Sequence, residues 1–285
     1  MNYAITASTG RFGQKAIKYL LELVDSGDQV IAIARNLDKA KNLLPRDVEV
    51  RYGDYDDVNS MKEVLRGVDR VLFISSQPGG PVTRAEQHQN MVEALKMNQV
   101  KFVAYTSFPN AQNSKSALAS DHKSTENLIK ESGLAHTFLR NNWYLENEIG
   151  FLQAGANNKT ATYWANNAAG FALEREYAEA AARILVEPNP ESIYELAGPS
   201  HSFNELGAAL QTATGNDFSI KQVSHSDYIK ELEQTGLDKN SATLFASFQE
   251  PIDDGSLNES TTALADILGR TLTNLPDAIN EVLKS

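Results

Sequence analysis

The chain has no cysteine. That excludes a disulfide framework, a thiolate metal site and a cysteine nucleophile. Histidines are few (His88, His122, His136, His201 and His225), and no two are spaced as H-x-x-x-H metal ligands. No apolar run approaches the roughly 20 residues that a membrane-spanning helix needs. No basic n-region precedes the first apolar segment, so a signal peptide is not expected. Positive charge is also scarce: 26 Lys and Arg against 37 Asp and Glu leave a formal net charge of −11. Without a clustered basic block the chain is a poor partner for nucleic acid. It also repels anionic cofactors at long range, so a nucleotide site must carry its own local cation. These absences point to a soluble cytoplasmic protein. Its 285 residues, 41% of them hydrophobic, suffice for one large domain or a large and a small one.

What is present is an alternation. YAIT, VIAIA (30–34), VEVRY (48–52), RVLFISS (70–76), KFVAYTS (101–107) and HTFLR (136–140) read as strands. Between them, residues 12–25, 38–44, 57–66, 83–98 and 116–132 read as helices. The continuous apolar character of VIAIA suits a strand buried on both faces. Six strands alternating with helices predict an α/β fold, a Rossmann doubly wound parallel sheet. Its ligand is expected at the carboxyl ends of the strands, where strand order reverses. Beyond about residue 150 the rhythm loosens, and the segment from 203 to 285 is mostly helical with one strand near 218–223. The expected organisation is a Rossmann domain over 1–152, return elements at about 174–196, and a smaller, mostly helical C-terminal lobe over 153–285.

The turn after the first strand, ASTGRFG, has the spacing of a phosphate-binding glycine turn, with Ala7 in place of its first glycine. Gly10 and Gly13 suit close approach to a diphosphate and close helix–strand packing. Ala7 suits the turn only with negative φ, because its Cβ penalises positive φ. The helix start at residues 10–13 offers free N–H groups and a positive dipole end. The Ser8 and Thr9 hydroxyls and the Arg11 guanidinium are candidate additional donors, although the same turn can exist with no ligand and a solvated Arg11. After the second strand, Arg35 occupies the place where an acidic residue would take the ribose 2′-OH of NAD, with Lys39 one turn on. Arginine there favours the 2′-phosphate of NADP; the alternative is a surface residue at a sheet edge. Asp54 and Tyr55, after the third strand, are candidates for the adenine side, with Asp56 or Asp57 as the cap of the next helix. Ser75 and Ser76 follow the fourth strand, and Thr106 and Ser107 close the fifth.

TASTGRFG, VIAIARN, GDYDD, VLFISS, EQHQNMVEA, VKFVAYTS, DHKSTE, TFLRNNWYLEN, EYAEAAARIL and YELAG occur in that order. Together they resemble the NmrA-like branch of the atypical short-chain dehydrogenases, most nearly its NADPH:quinone oxidoreductase type 2 and triphenylmethane reductase group. The resemblance covers nearly the whole chain, most tightly residues 3–147. The family's T-G-A-T-G-x-L-G turn falls on Thr6 to Gly13, with Phe12 in place of the leucine. The resemblance implies NADPH as cofactor, with its 2′-phosphate on Arg35 and with Ser75 and Ser76 beside it. It places Asn141, Asn142, Trp143 and Tyr144 on an L-R-N-x-W-Y loop beside the nicotinamide. Asn142 replaces a glycine of that loop, which puts a polar side chain near the acceptor.

The resemblance also implies the chemistry. The Tyr-x-x-x-Lys pair of typical short-chain dehydrogenases is missing: if His122 takes the lysine place, Leu118 takes that of the tyrosine. Reduction of quinones or related flat acceptors demands less of an acid, because the oxyanion needs modest stabilisation and a proton from solvent or an imidazolium. His122 is the first candidate, with Glu126 on the same helix face to hold its ring; a surface His–Glu pair is the alternative. Tyr144 and Asn142 are the other candidate donors. Tyr105 reads as buried packing, His88 as a solvated helix position. Of Phe108, Trp143, Phe151 and Trp164, one or two are expected to line a pocket. The alternative function is a non-catalytic NADP(H) sensor that binds a protein partner. A homodimer is compatible with either.

Overall fold

The computed structural model describes residues 1–77 and 79–285. Its first half is β1 (Asn2–Ile5), α1 (Arg11–Leu23), β2 (Gln29–Ala34), α2 (Leu37–Leu43), β3 (Glu49–Tyr52), α3 (Val58–Val64), β4 (Arg70–Phe73), α4 (Arg84–Met97), β5 (Phe102–Ser107), α5 (Ala119–Ser132) and β6 (His136–Asn141). A 3-10 turn (Leu145–Glu148) then leads into α6 (Ile149–Ala156), β7 (Ala161–Tyr163), β8 (Ala168–Gly170), α7 (Glu174–Val186), β9 (Ile193–Leu196), β10 (Ser200–Ser202), α8 (Phe203–Thr214) and β11 (Ile220–Gln222). The chain closes with α9 (His225–Gln234), α10 (Lys239–Ser247), α11 (Glu250–Asp253), α12 (Ala263–Leu268) and α13 (Leu275–Lys284).

The central sheet has seven strands in the order β3-β2-β1-β4-β5-β6-β9, and every pairing in it is parallel. This is the Rossmann arrangement that the alternation predicts. The register sets Ile5 opposite Ala32 on one side and Leu72 on the other. Because strand side chains alternate, Tyr3 and Ile5 enter the core cluster shared with α1 and α7. Ala4 enters the opposite cluster, with Met61, Phe73 and Met91. The apolar stripe of α1 (Phe12, Ala16, Ile17, Leu20) is buried and packs against α7. The small side chains Ala178, Ala180, Ala181 and Ala182 of α7 are fully buried there. A third cluster, around Phe151, Tyr163, Phe203 and Ile279, forms the core of the C-terminal part.

Two differences from the sequence reading have identifiable causes. The fourth strand stops at Phe73, short of Ser76. Beyond it, side chains take the place of a neighbouring strand. Ile74 N donates to Thr6 Oγ1 (2.9 Å), Ser75 N to Thr106 Oγ1 (2.9 Å) and Ser76 N to His88 Nε2 (3.0 Å). The second difference lies in the C-terminal part, where β10 pairs antiparallel with β8, while β11, the strand expected near 218–223, pairs parallel with β7. Segments as short as AAG and SHS carry no hydrophobic period to announce them. Among the described residues no helix is long and apolar enough to cross a membrane, and no group of three or more ligating side chains gathers for a metal.

Candidate functional site

The carboxyl ends of β1, β2, β4, β5 and β6 bring the candidate residues to one edge, with the reversal of strand order between β1 and β4. At its centre is the glycine turn. Ala7 has φ 48°, in the left-handed region, which corrects the expectation of a negative φ. The turn closes with Gly10 N donating to Ala7 O at 3.0 Å. A Cβ on Gly13 would lie 2.6 Å from Ala7 O, so only glycine lets the helix start come this close. The left-handed region costs an L-residue about 1–2 kcal/mol. We therefore expect Ala7→Gly to stabilise the protein by about 1 kcal/mol, seen as a higher thermal midpoint; an unchanged or lower midpoint would show that the turn is relaxed.

Helix α1 has no side-chain cap, and among the described residues the N–H groups of Arg11, Phe12 and Gly13 have no acceptor. The Thr9 hydroxyl also has no partner among the described residues. Arg35 and Lys39 are exposed, and neither side chain forms an ion pair among the described residues, whereas the neighbouring Asn36 is engaged as the cap of α2.

Several expected ligand contacts are instead structural bonds. Thr6 Oγ1 bridges Leu72 O and Ile74 N, tying β1 to the end of β4. Ser8 Oγ donates to Ile33 O at 2.9 Å and is fully buried. Thr106 Oγ1 serves Ser75, and Ser107 Oγ donates to Glu126 at 2.7 Å. Ser76 is held by His88, which is fully buried rather than solvated. Burial, then the charge of Arg84, pushes the His88 imidazole down to about 3. Ser76 N donates to its Nε2, so Nδ1 carries the proton and faces Thr125 Oγ1 at 2.7 Å. Tyr55 donates its hydroxyl to Ile74 O at 2.7 Å and packs its ring on Phe73, as a strut beneath the site. Asp57 caps α3. The Asp54 carboxylate accepts one bond, from Asp56 N at 3.1 Å. The Arg11 guanidinium leans toward Glu174, 3.7 Å away, and remains largely exposed.

The catalytic candidates divide. His122 receives Arg84 Nη2 on Nε2 (3.1 Å), so its Nδ1 proton points at Tyr105 Oη (2.9 Å). Phe108 stacks on its ring. Burial, followed by the charge of Arg84, holds His122 well below the usual imidazole range. It is neutral, which overturns the expectation of an imidazolium. Glu126 does not hold His122: it accepts two bonds from Arg140 (2.8 Å each), one from Ser107 and one from Gln112. Asn142 is also reassigned. Its Nδ2 donates to Leu257 O (3.2 Å), and its Oδ1 accepts from Trp143 N (2.9 Å) and Gly170 N (3.1 Å). It clamps the post-β6 loop to the C-terminal part rather than facing an acceptor.

Tyr144 and Asn141 keep open valences. Tyr144 stacks on Phe12 of the glycine turn, with ring centroids 5.9 Å apart. Its hydroxyl accepts from Asn141 Nδ2 (2.9 Å), leaving its own proton without an acceptor among the described residues. Burial raises its phenol above the ordinary range, so it stays a neutral donor. Asn141 Oδ1 is buried with no partner among the described residues. Trp143 is buried, and its Nε1 donates to Glu148 Oε1 at 2.8 Å. Of the other aromatics, Phe151 is core, and Trp164 donates to Ala246 O beside His225. The sequence reading missed Arg84, Glu146 and Glu148. Glu146 accepts from Lys15 Nζ (3.3 Å) and Glu174 N (2.9 Å), joining α1 to the start of α7. Two cavities, of about 510 and 450 Å³, lie among residues 221–234 and between Phe171 and the 260–275 segment; neither is lined by the glycine turn.

A family model described as NAD(P)H-binding matches residues 7–169. Quinone oxidoreductase 2 of Escherichia coli (strain K12) is 33% identical over 291 residues, covering 98% of each chain. The structure of the NADPH-dependent quinone oxidoreductase of Escherichia coli complexed with NADPH superposes with a TM-score of 0.91 at 33% identity, over 98% of this chain and 99% of that one. Triphenylmethane reductase of Citrobacter sp. complexed with NADP(H) gives 0.92 at 30% identity, over 99% and 100%.

Proposed function

Because the chain belongs to the NAD(P)H-binding family, we propose that it is an NADPH-dependent oxidoreductase that reduces quinones or related flat acceptors at the carboxyl edge of its sheet. Membership bears out the resemblance drawn from the ordered motifs, and the quinone oxidoreductase and triphenylmethane reductase relatives support the acceptor class.

The residues at the edge fit the cofactor. The observation that carries the reading is the juxtaposition of an uncapped helix start with an Arg35 that is exposed and, among the described residues, unpaired. The N–H groups of Arg11, Phe12 and Gly13 and the Thr9 hydroxyl would hold the diphosphate, and Arg35 with Lys39 the 2′-phosphate. Asp54 would take the adenine side. Asn141 Oδ1, buried and unpartnered, would accept from the nicotinamide amide or its ribose.

When bound, NADPH supplies a hydride. The chain's part is chiefly proximity: Tyr144, half-buried with its ring stacked on Phe12, would offer the ring surface on which a flat acceptor is held against the cofactor. Tyr144 presents an O–H that stays protonated, able to stabilise charge developing on the acceptor oxygen. Neutral His122 orients groups through Nδ1–H and does not supply the proton. The Rossmann part over 1–152 with its return at 174–196 would bind cofactor, and the lobe over 153–285 would shape the acceptor side.

The test is NADPH oxidation, followed by loss of nicotinamide absorbance, with a simple benzoquinone as acceptor. We expect turnover. NADPH binding with no turnover on any quinone or triarylmethane dye would instead make the protein a cofactor sensor.

A further inference from the structure

Six glutamates are buried: Glu126, Glu146, Glu148, Glu174, Glu176 and Glu179. Five meet a cation. Glu126 pairs with Arg140, Glu146 and Glu174 with Lys15, Glu176 with Arg270, and Glu179 with Arg183 and Arg270. Glu148 meets none among the described residues. Its single hydrogen bond is from the Trp143 indole to Oε1, at 2.8 Å. An ionised carboxylate so placed is costly, so the group stays protonated or is matched to a task.

Its position suggests the task. Glu148 ends the 3-10 turn that follows the post-β6 loop, four residues after Tyr144. Trp143, which holds it, belongs to the same apolar cluster as Phe108, and Phe108 stacks on His122. From the C-terminal part, Tyr228 of α9 faces Glu148 closely enough to feel its charge, with Glu231 further along that helix. The Tyr228 hydroxyl accepts from Gln249 Nε2 at 3.3 Å. The turn also packs against α6 and α13, and neither brings a charged group that acts on Glu148.

We propose that Glu148 is the proton donor of the reaction, passing its carboxyl proton to the reduced acceptor on the Trp143 side of the site. The proposal rests on the oxidoreductase reading. A quinone that gains a hydride, two electrons and one hydrogen nucleus, from NADPH becomes a hydroquinone oxyanion, with NADP⁺ as the oxidised product. The Glu148 Oε–H bond breaks as an O–H bond forms on that oxyanion. The carboxylate left behind regains a proton from solvent before the next turnover. Burial raises the Glu148 carboxyl to about 7 against the opposing indole bond, so a working fraction carries the proton at neutral pH.

The test uses the indole as reporter. Only two tryptophans are present, so Trp164→Phe leaves Trp143 as the sole indole, read by selective excitation of tryptophan over tyrosine. In this variant, free of cofactor, Trp143 emission should show one transition near pH 7, and adding Glu148→Gln should abolish it. Glutamine keeps the volume and an acceptor for the indole. NADPH affinity should be the same with and without Glu148→Gln, while kcat for benzoquinone falls about 10- to 100-fold and loses its dependence on pH through neutrality. Absence of the emission transition in the Trp164→Phe protein overturns the proposal. So does turnover by the Glu148→Gln protein at the parent rate across the pH range. If the Trp164→Phe and unaltered proteins bind NADPH but reduce no acceptor, the oxidoreductase reading itself fails, and the proposal with it.

Discussion

Replacing Arg35 with alanine should weaken NADPH binding about 10- to 100-fold and leave NADH binding unchanged. The reasoning is local. A chain of net charge −11 repels a phosphorylated cofactor, and the 2′-phosphate must find its counter-charge where it lands. Arg35 directly follows β2, is exposed and is unpaired among the described residues, so no protein contact has to break for it to close on an anion. Charge-assisted hydrogen bonds of this kind contribute about 1–3 kcal/mol, and exposure to solvent and salt limits the gain. Calorimetric titration of both proteins with both coenzymes reads the effect directly. The unaltered protein should prefer NADPH by a similar margin, and the variant should lose that preference. Equal affinities in the unaltered protein would remove Arg35 from the site.

The second large effect is on stability. Arg140→Ala should cost about 3–5 kcal/mol, measured by urea unfolding, because it strands a buried carboxylate. Glu126 has a fully inaccessible side chain, and Arg140 is nearly so. Burial alone would raise the Glu126 carboxyl; the hydrogen bonds from Arg140, Gln112 and Ser107 outweigh it and hold it below the ordinary value. The sign for pH follows. A depressed carboxyl stabilises the fold above the pKa it has in the unfolded chain, and that stability is lost as pH falls through the folded value. Acid should therefore weaken the unaltered protein more than a protein in which both partners are replaced by apolar residues of similar volume. A cost below about 1 kcal/mol for Arg140→Ala would mean that water reaches the pair.

The sheet was legible because parallel strands covered on both faces must be written as apolar runs, as VIAIA and KFVAYTS are. The places of the glycine turn and of Arg35 were legible because each follows directly on an apolar strand, β1 and β2, whose end the sequence marks. What could not be read was where short polar side chains point. Thr6, Ser8 and Ser107 lie at the expected edge, yet their hydroxyls turn inward to Leu72, Ile33 and Glu126. Nothing in one strand specifies which neighbour will present an acceptor. Glu126 was assigned to His122 on helix spacing alone; its partner Arg140 comes from β6, across the packing interface. Asn142 shows the same limit, since its partners Gly170 and Leu257 lie far along the chain. Glu148 gave one unused signal: an acidic residue in NEIGFLQ, just before a strongly apolar helix, with no basic residue within that helix to pair with it.

The seam between α1 and α7 has a consequence for biosynthesis. Leu20 and Ile17, near the start of the chain, share one cluster with Tyr177, Ile184 and Leu196, and β9 covers the outer edge of β6 in the sheet. A nascent polypeptide cut off before β9 emerges from the ribosome holds a nucleotide fold with one flank bare. The first six strands therefore complete their packing only once α7 and β9 have been made.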